Sequence, residues 1–430
     1  MSSSGAPFFA LDPRALPLMV YGLMGDGAAL AAAARDLPIY AGRDFHGGSL
    51  AEILARQPFM DKADLRRQFP AGFLRPGENL ASLLASRRAE VVRTSGTSGD
   101  RLQVLWEAGW WERQERAALL MNPLMAPHLG NGYREAVLTT PLCSESVCKT
   151  GPTTMEERCV DHLLFLNTQY DPTHWKTGEL DRMAAELERF QPAALEAAPT
   201  YLAALARHFA RTGRQPPPLR WILLAYEFVC GHDRTAVREV FDSPIFEFYG
   251  LTEAGVFFLE CPLGRLHFCG SESVVEVLRP ENCGLREGVG EVVVTSWGNR
   301  AAPLLRYRTG DLVSVDGAPC GCGMRGGVLR RFEGRLRDVL AFPSGFFTPR
   351  DIDEALAPVS GIMRYRCTEE VGGGLRVAFV AEPPAGNGNQ LAQAIEKCLG
   401  DRLKLAVRAE PVPFIAPEPS GKYRSVVPRA

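Results

Sequence analysis

The chain has no run of about 18 apolar residues, the length that a membrane-spanning helix requires, so a membrane role is not expected. It also lacks an excess of charge of either sign. Its 48 Lys and Arg stand against 50 Asp and Glu, for a net charge of −2, which excludes a basic track for nucleic acid or anionic lipid as the main feature. There is no internal repeat and no low-complexity tract, which excludes solenoids and compositionally disordered chains. The Gly-Lys-Ser/Thr ending of a Walker A loop is absent as well. No export signal is read at the N-terminus, where Asp12 and Arg14 interrupt short apolar pieces, and a cytoplasmic location is expected. Eleven cysteines, an odd number, are then expected as reduced thiols, mostly buried as small apolar groups.

What is present fits a large, ordinary soluble globular protein. At 430 residues with 46% hydrophobic and 23% charged, the chain is long enough for two or more domains with a substantial core. Residues 1–88 read as helices and loops. Beyond them, strand-like pieces at 137–140 and 221–224 alternate with helical periodicity at 110–121, 180–190, 201–209 and 234–241. Such alternation predicts an α/β fold with largely parallel pairing.

Three segments carry chemistry. Arg93-Thr94-Ser95-Gly96-Thr97-Ser98-Gly99-Asp100-Arg101 follows a β-prone run; its glycines and hydroxyls can wrap an anion with N–H and O–H donors. Phe246-Glu247-Phe248-Tyr249-Gly250-Leu251-Thr252-Glu253 reads as a strand ending in a glycine turn, with a hydroxyl and a carboxylate just past it. Ligands in open α/β sheets bind at such strand ends, where a Thr can donate to phosphate and a Glu can hold magnesium. Arg306-Tyr307-Arg308-Thr309-Gly310-Asp311-Leu312 closes a further strand with a carboxylate after a turn, and a carboxylate can accept from a ribose diol. Separately, Cys320-Gly321-Cys322 and Cys261, with His267 or Cys269, offer two close ligand pairs for a tetrahedral zinc. Strand alternation puts His267 and Cys269 on one face and does not separate them.

The order of these pieces, with Gly334-Arg335, Asp338 and Ser420-Gly421-Lys422-Tyr423-Arg424, resembles the core motifs of the adenylate-forming superfamily. The branch it is most similar to is phenylacetate-CoA ligase and other aryl-CoA ligases. The resemblance spans about 91–422. It implies a large N-terminal domain, residues 1–334, with sheets flanked by helices, and a small mobile α+β C-terminal domain, residues 335–430.

Carried over by position, the resemblance implies that Thr94, Ser95, Gly96, Thr97, Ser98 and Gly99 hold the β- and γ-phosphates of ATP. Thr252 would meet the α-phosphate, Glu253 the Mg²⁺, and Asp311 with Arg335 the ribose. Ala225, Tyr226 and Glu227, with Tyr249, would edge the nucleotide, and Lys422 would bridge carboxylate and α-phosphate. Pro199, Tyr201, Tyr226, Phe228, Gly250, Ala254 and Gly255 would line the acyl pocket. The relatives' Leu-His favours His267, with Cys261, Cys320 and Cys322, as the structural zinc ligands, and Cys269 as substitute. Three positions depart from the family: Asp100-Arg101 replaces Lys-Pro, Tyr226 replaces a small residue, and Arg337 replaces an acid.

The expected reaction joins an aryl acid of benzoate, anthranilate or phenylacetate type to coenzyme A through an acyl-adenylate, consuming ATP. Transfer to a carrier-protein thiol is the alternative, and an inactive zinc-binding scaffold is a second. The expected partners are an aryl acid, ATP, CoA or an acyl carrier protein, with no nucleic acid and no membrane, in a monomer or homodimer.

Overall fold

The computed structural model describes residues 10–22, 27–94, 101–130, 132–141, 151–169, 175, 177–383 and 388–429. Ser95, Gly96, Thr97, Ser98 and Gly99 lie outside the described residues.

Four consecutive apolar residues make Trp221–Leu224 a strand with every side chain buried, as a strand covered on both faces must be. It lies between Ala194–Ala197 and Ile245–Leu251, and Glu135–Leu138 and Leu163–Phe165 extend the sheet, all five strands parallel. Antiparallel strands complete a nine-stranded sheet: Gly255–Glu260, Leu266–Phe268 and Val328–Leu329 at one edge and Cys159–Val160 at the other. The helices Thr177–Phe190, Pro199–Thr212 and Gly231–Arg238 match three of the periodic segments. They pack Met183, Leu187, Leu202, Leu205, Phe209 and Val237 against Leu195, Ile222 and Leu224. The helix Trp110–Leu119 covers the other face, where Ala118 and Leu119 meet Trp221, Leu223, Phe246 and Phe248. Each such side chain stabilises the fold by about 1.5–3 kcal/mol through burial. Among the described residues no helix is long and apolar enough to cross a membrane.

Among the described strands, parallel pairing is confined to the centre of that sheet and the two outer pairs of a four-stranded one. A five-stranded sheet, Met19–Tyr21, Ser273–Leu278, Val289–Ser296, Leu304–Ser314 and Arg331–Arg335 in that order, is wholly antiparallel. Two expectations are corrected by it. The segment before residue 88 contributes a strand, Met19–Tyr21, too short for a period of two to show. Asp311 does not sit beyond a strand end, because Leu304–Ser314 runs continuously through it. The glycine read as a turn is a bulge: Gly310 has φ +74°, and the register slips opposite Glu291 to Val293. A bulge re-aims the side chains beside it without ending the strand.

A third sheet, Val407–Pro411, Leu375–Ala381, Ile362–Glu369 and Val426–Val427, carries its own core. The helices Pro349–Leu356 and Gly388–Leu403 bury Ile352, Leu356, Ile395 and Leu399 against Val377 and Phe379. Elsewhere, Ala89–Arg93 and Gln103–Glu107 form a hairpin that brackets the Gly/Ser/Thr segment. Its neck is closed by Thr94, whose N–H donates to Leu102 O at 2.9 Å and whose Oγ1 accepts from Leu102 N at 3.0 Å.

One buried ion pair ties the N-terminal segment to the antiparallel sheet. Arg306, 3% exposed, donates from Nε and Nη2 to Glu276 at 3.0 Å. Its Nη1 donates to the carbonyls of Pro13 and Gln57, and its guanidinium lies 4.2 Å from the Phe59 ring. Arg306→Met would leave the Glu276 carboxylate buried and unpaired, so stability should fall by about 3–5 kcal/mol, read as a lowered urea midpoint at unchanged slope.

Candidate active site

The carboxyl ends of the parallel strands bring the separate motifs together. Past Ile245–Leu251, Glu253 is buried and its Oε1 accepts from Tyr307 OH at 2.7 Å. Tyr249 OH donates to Asp311 Oδ2 at 2.8 Å, and Arg335 Nε lies 3.4 Å from Asp311 Oδ1. Burial pushes the Tyr249 and Tyr307 hydroxyls well above the usual tyrosine range, and the carboxylates beside them push further in the same direction. Each phenol therefore stays a proton donor that fixes its carboxylate. The Thr252 carbonyl accepts from Trp106 Nε1 at 2.7 Å.

The C-terminal loop enters the same region. Lys422 Nζ donates to Tyr226 O at 2.5 Å, Tyr423 N to Glu227 Oε2 at 3.0 Å, and Tyr201 OH to Gly421 O at 2.7 Å. Glu227 Oε1 in turn accepts from Thr200 N at 3.2 Å and from the Thr200 hydroxyl. Burial raises the Glu227 carboxyl, while the Thr200 and Tyr423 donors hold it down. Gly421 is required where it stands: φ is +80°, and a Cβ would lie 2.6 Å from Thr140 Oγ1 and 2.8 Å from Tyr201 OH.

The expected acyl-pocket residues do not all share one wall. Pro199 and Tyr201 are buried at the start of their helix. Gly250 and Gly255 face tryptophans: a Cβ there would be 3.5 Å from Trp111 Cη2 and 3.1 Å from Trp110 Cζ2. Ala254, by contrast, is buried in the core that holds Leu305 and Tyr307. Phe228 lies under the Arg350 guanidinium at 4.2 Å, beside the C-terminal sheet.

Sequence reading missed the tryptophan wall, in which Trp106 and Trp111 stack at 5.0 Å with their planes 1° apart. The Trp110-Trp111 doublet just after the glycine loop was its available signal. Lys62 was missed too. Burial draws its ammonium down from the usual range, while Glu253 pulls it back up. Nothing local marks Lys62; pairing of the adjacent Met60 with Tyr307 places it there.

Cys261, His267, Cys320 and Cys322 converge with all four ligand atoms within 4.8 Å of one another. Cys261 Sγ is 3.7 Å from Cys320 Sγ, and Cys322 Sγ is 3.2 Å from His267 Nε2. His267 Nδ1 lies 3.2 Å from Arg325 O, which sets Nδ1 as donor and leaves the Nε2 lone pair facing the sulfurs. Burial pushes Cys320 up, but hydrogen bonds from His267, Cys322 and Cys261 outweigh it and bring the thiol to about 7. Three sulfurs and one imidazole are a donor set that suits a closed tetrahedral zinc. Cys269 is not in the cluster. The strand Leu266–Phe268 ends before it, and its side chain packs into the apolar core with Val256 and Leu259. If the cluster holds zinc, dialysed protein should contain about one equivalent, and Cys320→Ser should lose the metal together with stability. Elemental analysis beside a melting curve would check both.

Comparison with known proteins places this geometry. No protein-family model matches the sequence. Phenylacetate-coenzyme A ligase of Thermus thermophilus is 28% identical over 334 residues, 75% of this chain and 70% of that protein. The chain is similar to phenylacetate-coenzyme A ligase over most of its length. Its fold is that of the adenylate-forming ligases. The solved 2-hydroxyisobutyryl-CoA ligase, in the postadenylation state with R3-HIB-AMP, matches with a TM-score of 0.70 at 17% identity, over 94% of this chain and 88% of that one. In its thioesterification state with 2-HIB-AMP and CoA the same enzyme matches at 0.52 and 18% identity, over 94% and 91%. The anthranilate CoA ligase bound to anthranoyl-AMP matches at 0.56 and 16%, over 77% and 65%.

Proposed function

We propose that the protein is an ATP-dependent, AMP-forming aryl-CoA ligase. The observation that carries this reading is that the Lys422 ammonium reaches the strand-end carbonyl of Tyr226, on the side of the sheet where Thr252, Glu253 and Asp311 gather. Two anions, a carboxylate and a triphosphate, must approach each other, so cationic and hydrogen-bonding groups at that point lower the barrier. A carboxylate oxygen attacks the α-phosphorus and pyrophosphate departs, leaving an acyl-adenylate. Lys422 would stabilise the charge that grows there, with Thr252 donating to the α-phosphate and Asp311 holding the ribose beside Arg335. Glu253 would hold Mg²⁺, which neutralises part of the triphosphate charge. The thiol of CoA then attacks the acyl carbonyl and AMP departs.

The second step needs room where the Lys422 loop sits. Residues 335–430, with a core of their own, would rotate away to make it. An aromatic acid is favoured by the Trp106–Trp111 stack beside Gly250, with Trp110 against Gly255, since flat rings pack well against such a wall. The relatives act, by their names, on phenylacetate, anthranilate and a small hydroxy acid.

A panel of aryl acids assayed for pyrophosphate release, with and without CoA, tests the reading. At least one should support release and yield its thioester. Release without acylation of free CoA would move the acceptor to a carrier-protein thiol, and no release with any acid would favour an inactive scaffold. Lys422→Ala should slow adenylation at least about a hundredfold while thioester formation from supplied acyl-adenylate survives; equal loss in both steps would refute the lid role. Gly421→Ala, strained at φ +80° and blocked by Thr140, should show the same selective loss through displacement of Lys422, with unchanged fold by circular dichroism.

A further inference from the structure

A second metal-ligating group lies away from the Cys261 cluster. Cys230, His232 and Asp353 bring one sulfur, one nitrogen and one oxygen within 4.8 Å of each other. Cys230 and His232 open the helix Gly231–Arg238, which packs on the nine-stranded sheet. Asp353 belongs to Pro349–Leu356, in the core of the C-terminal sheet. The group therefore spans the two units.

Each ligand is oriented as a metal ligand is. His232 Nε2 lies 3.0 Å from Val359 O, an acceptor, so Nε2 carries the proton and Nδ1 presents its lone pair. Nδ1 is buried and has no hydrogen-bond partner among the described residues. An imidazole that donates one nitrogen to a backbone carbonyl and leaves the other free has the second-shell arrangement of a metal-bound histidine. Cys230 Sγ donates to Asp353 Oδ1 at 2.9 Å. Arg350 Nη1 holds Asp353 Oδ2 at 2.8 Å, and Gly231 N donates to both oxygens, at 3.0 and 3.2 Å. The carboxylate is thereby fixed with Oδ1 toward the thiol. The adjoining cleft is lined by Cys230, His232 and Asp233 on one side and Arg364, Tyr365 and Tyr423 on the other, which gives an ion a way in.

The geometry points to a divalent metal site of zinc type, formed by Cys230 Sγ, His232 Nδ1 and Asp353 Oδ1, that clamps the C-terminal unit onto the parallel sheet. Binding replaces the thiol proton, which passes to solvent, so that the S–H···O hydrogen bond becomes an S–metal–O bridge. Three protein ligands leave a fourth position for water. Such an ion binds one arrangement of the two units and not an arrangement in which Asp353 has moved off. It must therefore favour the first. The effect on catalysis rests on the ligase reading above; the site itself does not.

Cobalt(II) and zinc(II) titrations of the full-length protein test it, with bound metal counted after gel filtration and the sulfur-to-cobalt absorption followed. The wild type should take two equivalents, one in the Cys261 cluster and one here. Cys230→Ser and His232→Gln should each take one, with unchanged circular dichroism. Because the count needs no turnover, it decides the site even if no acid is ever activated. In the active enzyme, added zinc should slow conversion of acyl-adenylate to thioester at least about tenfold, a typical coupling between sites, and leave pyrophosphate release unchanged. His232→Gln should abolish that slowing. A metal count that neither substitution lowers, whatever the wild type takes, would overturn the site. A second equivalent with no slowing of the thiol step would overturn the clamp.

Discussion

The arrangement of the site depends on the half-buried carboxylate of Glu227. It accepts from Thr200 at the first turn of Pro199–Thr212 and from the N–H of Tyr423, joining a helix of the main sheet to the C-terminal loop. A carboxylate at a helix N-terminus gains from the unpaired N–H groups and the dipole there, and this offsets the cost of burying it. The preceding Tyr226 has φ +74°, a conformation that costs a bulky residue about 1–3 kcal/mol. The same strained residue offers the carbonyl that Lys422 reaches. Strain at Tyr226, the Glu227 hydrogen bonds and the placement of Lys422 are thus one connected feature.

How much of this could be read from the sequence follows from which signals are local. Trp221–Leu224 was legible because four consecutive apolar residues, shortly after the proline break at 216–218, admit few other readings, and the helices showed through their period. Met19–Tyr21 was not legible, because a three-residue edge strand gains its identity from Ser273–Leu278, far along the chain. Asp311 was read as lying beyond a strand end, since a glycine in a bulge and a glycine in a turn look alike until the partner strand is known. At the Cys261 cluster, alternation put His267 and Cys269 on one face. What separates them is the end of the strand at Phe268, which sends the next side chain into a different core. Lys62 shows the limit of motif reading: a lysine in an ordinary amphipathic helix comes next to Glu253 only because Met60 is hydrogen-bonded to the strand 304–314.

The contacts between the two units are more mixed than those within them. Inside each unit, aliphatic and aromatic side chains are packed with almost no exposure. Between the units a small apolar cluster, Cys283, Leu285, Val289 and Leu312 with Val339, is joined by polar bonds: Asp353 to Gly231 N, Arg350 to Val229 O, His232 to Val359 O and Arg207 to Glu382. Water can replace each of these when the surfaces part, so each adds only about 0.5–1.5 kcal/mol net. Apolar surface of the same area would cost far more to expose. On the proposed ligase reading, an interface held largely by such bonds would keep Lys422 in place in one arrangement and let residues 335–430 move away for the thiol step. It also explains why a single ion bridging Cys230, His232 and Asp353 would matter: where the closed and open arrangements differ by a few kcal/mol, one coordination bond across the seam is comparable to the whole difference.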